Sequence, residues 1–253
     1  MLLPSDAGYD EARALWNARF DRRPDVIVQA HNEEDVVAAV DAARDHGVPL
    51  SVKGGGHDYA GNSVQDGGLL LDLGPVDGVT VDPAARSARV GPGARWAQVD
   101  AATQPHGLAT TGGTVSHVGV SGFVLGGGGG WLTRKFGLAV DNLRAARLVT
   151  AEGRVVRVSE EENPDLLWGL RGGGGNFGVV TEFELQLHPF GPDILGGQVI
   201  YTLDRAPEVL RAYRDCMRTA PDEVACYPFF IRIPPMEGFP EVVHGQVVLD
   251  MVV

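Results

Sequence analysis

The stretch Lys53-Gly54-Gly55-Gly56-His57-Asp58-Tyr59-Ala60-Gly61-Asn62 decides how the rest of this sequence is read. It continues Pro49–Lys53, a short run that reads as a β-strand, so the three glycines stand at a strand end. Consecutive glycines in that place leave several backbone N–H groups free to point into one concavity, a way to cradle pyrophosphate without using charge. His57 beside them is, when neutral, a nucleophile with an ordinary pKa near ~6.5. Taken alone, the same residues also suit a tight turn that carries a surface histidine.

Two more glycine groups lie downstream, Gly126 to Gly130 and Gly172 to Gly175, among 35 glycines in 253 residues. That is about twice the usual share. Hydrophobic segments separate the groups, which excludes collagen and flexible linkers and points to backbone brought close to something. Otherwise the composition is that of a globular protein, 44% hydrophobic and 21% charged. The net charge of -12 argues against nucleic acid or anionic membrane as a partner. Cys216 and Cys226 lack metal-ligand or redox spacing, and the histidines outside the glycine loops (His31, His46, His106, His188, His244) are scattered, so no metal site is expected. No signal-like start and no run of ~18 apolar residues is present. A cytoplasmic location is expected.

Periodicity around the decisive stretch predicts a helix from Asn32, its cap, to Gly47, its stop. A buried strand at Leu69–Leu73 follows, then a hairpin pairing Gly78–Val81 with Ser87–Val90, and a helix over Ala94–Gln104. Gly119–Trp131 shows no period. Beyond it come a hairpin of Ala145–Thr150 with Arg154–Val158, a helix capped by Asn163 and running through Leu170, and a strand at Val179–Leu185. Strands and helices mix without strict βαβ alternation, so an α+β fold is expected. The composition changes at His188–Pro192, which divides the chain into residues 1–190 and 191–253. The second part should hold strands at Gln198–Thr202, Cys226–Ile233 and Gln246–Val253, with an amphipathic helix at Pro207–Thr219. The last strand is expected to present an open edge, to be covered by a partner chain or a second copy.

Two letter patterns fail on context. Gly173-x-Gly175-x-x-Gly178 follows a helix and precedes a strand, the reverse of a dinucleotide fingerprint. Gly119-Val120-Ser121-Gly122-Phe123 lacks the final glycine of a nucleophile elbow.

With its flanks, the strand, Gly-Gly-Gly-His and Gly61 resemble the pyrophosphate loop of the vanillyl-alcohol-oxidase/berberine-bridge-enzyme family, FAD-linked oxidases with a PCMH-type FAD-binding domain. Gly113-Thr114-Val115-Ser116-His117-Val118-Gly119-Val120-Ser121-Gly122 is similar to that family's second flavin loop, and Glu162 to Gly178 is also similar. The resemblance runs from about Arg22 to Pro189. It implies a two-lobed FAD-binding domain followed by the start of an antiparallel-sheet substrate domain. It further implies FAD bonded through its 8α-carbon to His57, with Gly54, Gly55, Gly56, Asp58, Gly61, Asn62, Thr114, Val115, His117, Val118, Gly119, Gly122, Gly127 and Val180 around the cofactor. Doubly linked members carry cysteine where this chain has Val115, so a cysteinyl link is not expected. Val118 matches a position proposed in relatives to gate oxygen, although a core-facing valine is the plainer reading of the residue itself.

The activity implied is that of an oxidase taking hydride from a CH–OH or CH–NH small-molecule substrate onto FAD and passing electrons to oxygen. The rivals are a flavin-binding module without turnover, and a non-covalent dehydrogenase or reductase. The catalytic base is unknown: Tyr201, Tyr227 and Asp250 lie on expected substrate-domain strands, where each also reads as a structural residue.

Overall fold

In the computed structural model, which describes residues 1–239 and 241–253, the chain divides into two compact units, Met1–Pro192 and Asp193–Val253. The first unit begins with a short helix α1 (Tyr9–Arg13) and then alternates β1 (Val26–Gln29), α2 (Glu33–His46), β2 (Leu50–Lys53) and β3 (Leu69–Asp72). These three strands form a parallel sheet in the order β1-β3-β2. The central strand must be apolar on both faces, and Leu69, Leu70 and Leu71 are all buried. Leu69 and Leu71 pack on Val36, Ala39, Val40 and Ala43 of α2, while Leu70 packs on Tyr9 and Ala12 of α1. The cap of α2 forms as the sequence indicates: Asn32 Oδ1 accepts from the Asp35 N–H at 2.8 Å. Asp35 reaches back one residue further than a reciprocal box requires, to the N–H of His31. Gly47, at φ 63°, ends the helix.

The second lobe of this unit is a five-stranded antiparallel sheet. Its parts, in chain order, are β4 (Val79–Asp82), β5 (Ser87–Val90), α3 (Trp96–Thr103), a two-residue strand β6 (Leu108–Ala109), α4 (Val120–Leu125), α5 (Thr133–Phe136), β7 (Leu143–Val149), β8 (Val155–Ser159), α6 (Pro164–Leu170) and β9 (Val179–Gln186). The order is β4-β5-β9-β7-β8, and a short β10 (His188–Pro189) pairs with β6. Trp96, Val120, Val124, Leu143, Leu148 and Phe183 lie at the centre of its core. One polar cluster joins the lobes: Arg147 on β7 grips Glu33 of α2 through two N–H donors, 2.6 and 3.1 Å, and the Thr181 hydroxyl on β9 donates to the same carboxylate at 2.7 Å.

The α+β expectation holds, with the first lobe parallel and the other sheets antiparallel. Several local readings differ. The helix expected from Ala94 starts at Trp96, and Gln104–His106 tighten into a 3₁₀ turn. Asn163 does not cap α6 with its side chain; its backbone is left-handed, φ 53°, and its amide donates to the Arg157 carbonyl at 2.7 Å. A helix, α4, lies inside the run that showed no period, and the β-branched run Val26-Ile27-Val28, which the sequence reading left unassigned, forms β1.

The second unit contains β11 (Gln198–Thr202), α7 (Ala206–Met217), β12 (Tyr227–Arg232) and β13 (Val247–Val252), in an antiparallel sheet ordered β11-β13-β12. The expectation of an open edge at the last strand is therefore corrected. β13 is the central strand, paired on both sides, and Val248, Leu249, Asp250 and Met251 are buried. Leu249 and Met251 pack with Tyr201 against Val209, Leu210 and Tyr213 of α7. Among the described residues, no helix is long and apolar enough to cross a membrane. Cys216 and Cys226 are free thiols.

Candidate cofactor cleft

The parallel and antiparallel lobes of the first unit leave a cleft of about 850 Å³ between them. Its walls are the three glycine-rich loops: Gly54 to Asp58 after β2, Val118 to Gly126 around α4, and Gly174 to Val180 leading into β9. Val40 of α2 and Val149, Thr150 and Ala151 at the end of β7 complete it. The first two loops touch backbone to backbone. A Cβ built on Gly55 would stand 2.5 Å from both the Cα and the N of Gly119, and one on Gly119 would meet Gly55 at 2.6 Å. Only glycine on both sides permits this approach. The second loop is fixed from below by α3: Trp96 N–H donates to the Val118 carbonyl at 3.1 Å, Ala97 N–H to Ser116 at 2.9 Å, and Val120 N–H to Ala94 at 2.9 Å.

His57 stands on the first loop, in the wall separating this cleft from a second cavity of about 880 Å³ that Lys53, Asp72, Arg95 and His117 help to line. Its Nε2 is 2.9 Å from His117 Nδ1, and the Trp16 ring lies against it at 5.4 Å between centroids. Burial lowers the His57 pKa, and the nearby His117 and Arg95 lower it further. At neutral pH the imidazole is thus held uncharged, the form in which one nitrogen keeps a free lone pair. Lys53, the first residue of the motif, has a structural task. Its ammonium is buried, donates to the Ala12 carbonyl and lies 3.6 Å from Asp72.

The other sequence-selected residues divide. Gly54, Gly55, Gly56, His57, Asp58, Asn62, Val118, Gly119, Gly122 and Val180 line the cleft together. Asp58 chiefly organises its own loop: its carboxylate accepts the N–H groups of Ala60, Asn62 and Ser63. Gly61 is buried under the Phe20 ring, Thr114 and Val115 are exposed away from the cleft lining, and Gly127 also lies outside it. His117 faces the second cavity and meets the cleft only through His57. Sequence reasoning overlooked Ser51, Ser63, Thr150 and Asn176, which also line the cleft. Trp16 carried no signal at all. In the second unit Tyr201 packs toward α7, whereas Asp250 is buried with one carboxylate oxygen unpartnered and its pKa raised by burial. Strand alternation puts Tyr227 on the face of Asp250, opposite Leu249.

The cleft suits a dinucleotide. Its volume is that of a small-molecule site, its loops present bare backbone, and the hydroxyls of Ser51 and Ser63, both lining it, are buried without a protein partner. Buried hydroxyls ordinarily have one.

Known proteins match the same segments. A family model described as an FAD binding domain covers residues 24–159, just over half of the chain. (R)-6-Hydroxynicotine oxidase of Paenarthrobacter nicotinovorans is 36% identical over 230 residues, 90% of this chain and 50% of the relative. The crystal structure of 6-hydroxy-D-nicotine oxidase from Arthrobacter nicotinovorans matches with a TM-score of 0.88 at 34% identity, covering 99% of this chain and 54% of that one. Glucooligosaccharide oxidase from Acremonium strictum, described with a 6-S-cysteinyl, 8α-N1-histidyl FAD, matches with a TM-score of 0.85 at 35% identity, over 98% of this chain and 50% of that one. The chain spans about half the length of the curated relatives it matches. Glycine loops that close on one cleft, an FAD-binding family model over residues 24–159 and a relative 36% identical over 90% of the chain lead to one assignment: this chain belongs to the family of FAD-binding domains found in FAD-linked oxidoreductases.

Proposed function

We propose that the chain binds FAD along the cleft, holds it covalently through His57, and forms the cofactor-binding part of an oxidase acting on a small molecule with a CH–OH or CH–NH group. The observation that carries this reading is an imidazole, its pKa lowered by burial, set in the wall of a cleft built from three bare-backbone loops. FAD, when bound, supplies the redox chemistry, accepting a hydride equivalent from the substrate carbon and passing the electrons to oxygen. The chain's own residues bind and orient it. Backbone at Gly54 to Gly56 and Gly119 to Gly122 would receive the pyrophosphate, the Ser51 and Ser63 hydroxyls would find their missing partners, and His57 would hold the ring edge.

Attachment would be single. Val115 matches the position at which the resemblance puts the cysteine of doubly linked members, and the two cysteines, Cys216 and Cys226, both belong to the second unit. Relatives named as oxidases of hydroxynicotine and of glucooligosaccharide support the two substrate classes, an amine-bearing ring or a sugar. The second unit, residues 193–253, would begin the substrate domain, with Asp250 and Tyr227 on the face of its sheet that α7 leaves free. The decisive measurement is the intact mass of the denatured chain. It should carry one FAD-sized adduct that is lost in His57→Ala; a yellow chain without an adduct would mean a non-covalent flavoprotein, and a chain that takes up no flavin would end the reading.

A further inference from the structure

The polar cluster that joins the two lobes of the first unit lies beside the cleft they form. Glu33 is the first residue of α2, and its carboxylate accepts both donors of the Arg147 fork, 2.6 and 3.1 Å, and the Thr181 hydroxyl, 2.7 Å. The pairing of β7 with β9 is interrupted at this point. Arg147 stands opposite Glu182 and Leu148 opposite Val180, so Thr181 is an extra residue with no partner across the ladder. A bulge of this kind re-aims a side chain at the expense of regular pairing, and here the Thr181 hydroxyl reaches α2. The cleft begins two residues further along each strand. Val149 and Val179 pack in one cluster with Val36, Ala39 and Val40 of α2, and with Val40 they line the cleft. Between Glu33 and Val40 the helix rises only about 10 Å. Apolar contact between valines is non-directional, whereas a guanidinium fork on a carboxylate fixes both distance and angle. The register of α2 against the two strands is therefore set by the clasp.

We propose that Glu33 is a positioning residue for the cofactor: gripped by Arg147 and Thr181, it holds α2 against β7 and β9 at the spacing that FAD fills, and FAD leaves when this clasp opens. The inference rests on the reading of the cleft as the FAD site. Glu33, Arg147 and Thr181 are outside the cleft lining, so they act on the cofactor through Val40, Val149 and Val179. Parting α2 from the two strands breaks the three hydrogen bonds of the clasp, which thus add to the barrier for release. The ionic part is only half-buried, with the Glu33 side chain 23% and the Arg147 side chain 45% exposed, which limits it to about fivefold in rate. The Thr181 hydroxyl is buried and bonded to a charged group, which gives its single bond about threefold.

The test follows FAD release from the whole chain in a His57→Ala background, in which the cofactor is not bonded to the protein. Loaded protein is diluted into buffer at neutral pH, and the rise of free-flavin fluorescence gives the rate. Glu33→Ala should release FAD about fivefold faster than the background, and Thr181→Val about threefold faster. The double variant should be no faster than Glu33→Ala, because both changes remove the same contact. Ala38→Gly supplies the readout that a merely structural role would not pass. Ala38 is exposed in the middle of α2, so glycine there weakens the helix and leaves the clasp intact; its release rate should equal the background. Release at the background rate from Glu33→Ala, an equal acceleration in Ala38→Gly, or additive effects in the double variant would each overturn the proposal while leaving the cleft as the FAD site. A background protein and a wild type that both take up no FAD would overturn the reading of the cleft itself. Should Glu33→Ala fail to fold, Thr181→Val against Ala38→Gly decides by the same comparison.

Discussion

Gly55→Ala tests the contact on which the cleft depends. The new methyl carbon would lie 2.5 Å from the Cα and N of Gly119, whereas carbon atoms in comfortable contact are about 3.5–4.0 Å apart. The loops must therefore separate by about 1 Å. Neither side yields easily, because both are main chain: Gly119 is bridged to Arg95 and followed by the Val120–Ala94 hydrogen bond, and Gly55 follows directly from a buried parallel strand. Forcing an extra methyl into a packed contact costs about 1–3 kcal/mol. A urea titration followed by tryptophan fluorescence should show a loss of that size. FAD spanning both loops would hold them at their native spacing, so its affinity should fall by a comparable amount, about 10- to 100-fold. Gly122→Ala separates the two effects. Its Cβ meets nothing within 4 Å and lines the cleft. Alanine within α4 should leave stability equal or about 0.5–1 kcal/mol higher, yet the methyl should hinder FAD. Wild-type stability in Gly55→Ala would refute the close approach, and wild-type FAD affinity in Gly122→Ala would refute the placement of FAD along this cleft.

Removing the Ser51 or Ser63 hydroxyl (Ser→Ala) should leave the FAD-free chain as stable or more so, since each is buried without a partner, while FAD binding measured by fluorescence weakens by about 0.5–1.5 kcal/mol. Glu33→Gln should cost about 1 kcal/mol in urea unfolding, because its bidentate pair with Arg147 is only partly buried. Arg147 and Thr181 hold the Glu33 carboxyl below its usual pKa, so its contribution is present above the ordinary carboxylate range and fades as pH falls through the folded value; the variant should lack this acid limb. His57 has its pKa lowered by burial, so the unfolded chain takes up the proton first. Stability of the FAD-free chain should then fall as pH drops below about 6.5, less steeply in His57→Gln, with His188, also lowered by burial, supplying part of what remains.

The parts of this protein that follow from near neighbours in the chain could be read directly. The cap at Asn32, the stop at Gly47 and the turn between Asp82 and Ser87 are local hydrogen-bond and backbone preferences, and each appears where the residues put it. Local reading failed where partners are distant or the signal is shared. Val120–Leu125 is a helix although glycines at both ends hide its period. The apolar run at Val247–Val252 looked like an exposed edge, but an apolar strand reads alike whether it ends a sheet or fills its middle, and here β11 and β12 flank it.

By itself the sequence determined which backbone had to be bare, which imidazole stood beside it, and that this pattern belongs to an FAD-binding family. It could not say that Gly55 meets Gly119 at van der Waals contact, that His117 reaches His57, or that Ser51 and Ser63 wait unpartnered in the same cleft. Those relations join residues far apart in the chain, and they arise only when the parallel and antiparallel lobes close on each other. Residue type and spacing encode what a short segment can do, while packing decides which segments meet.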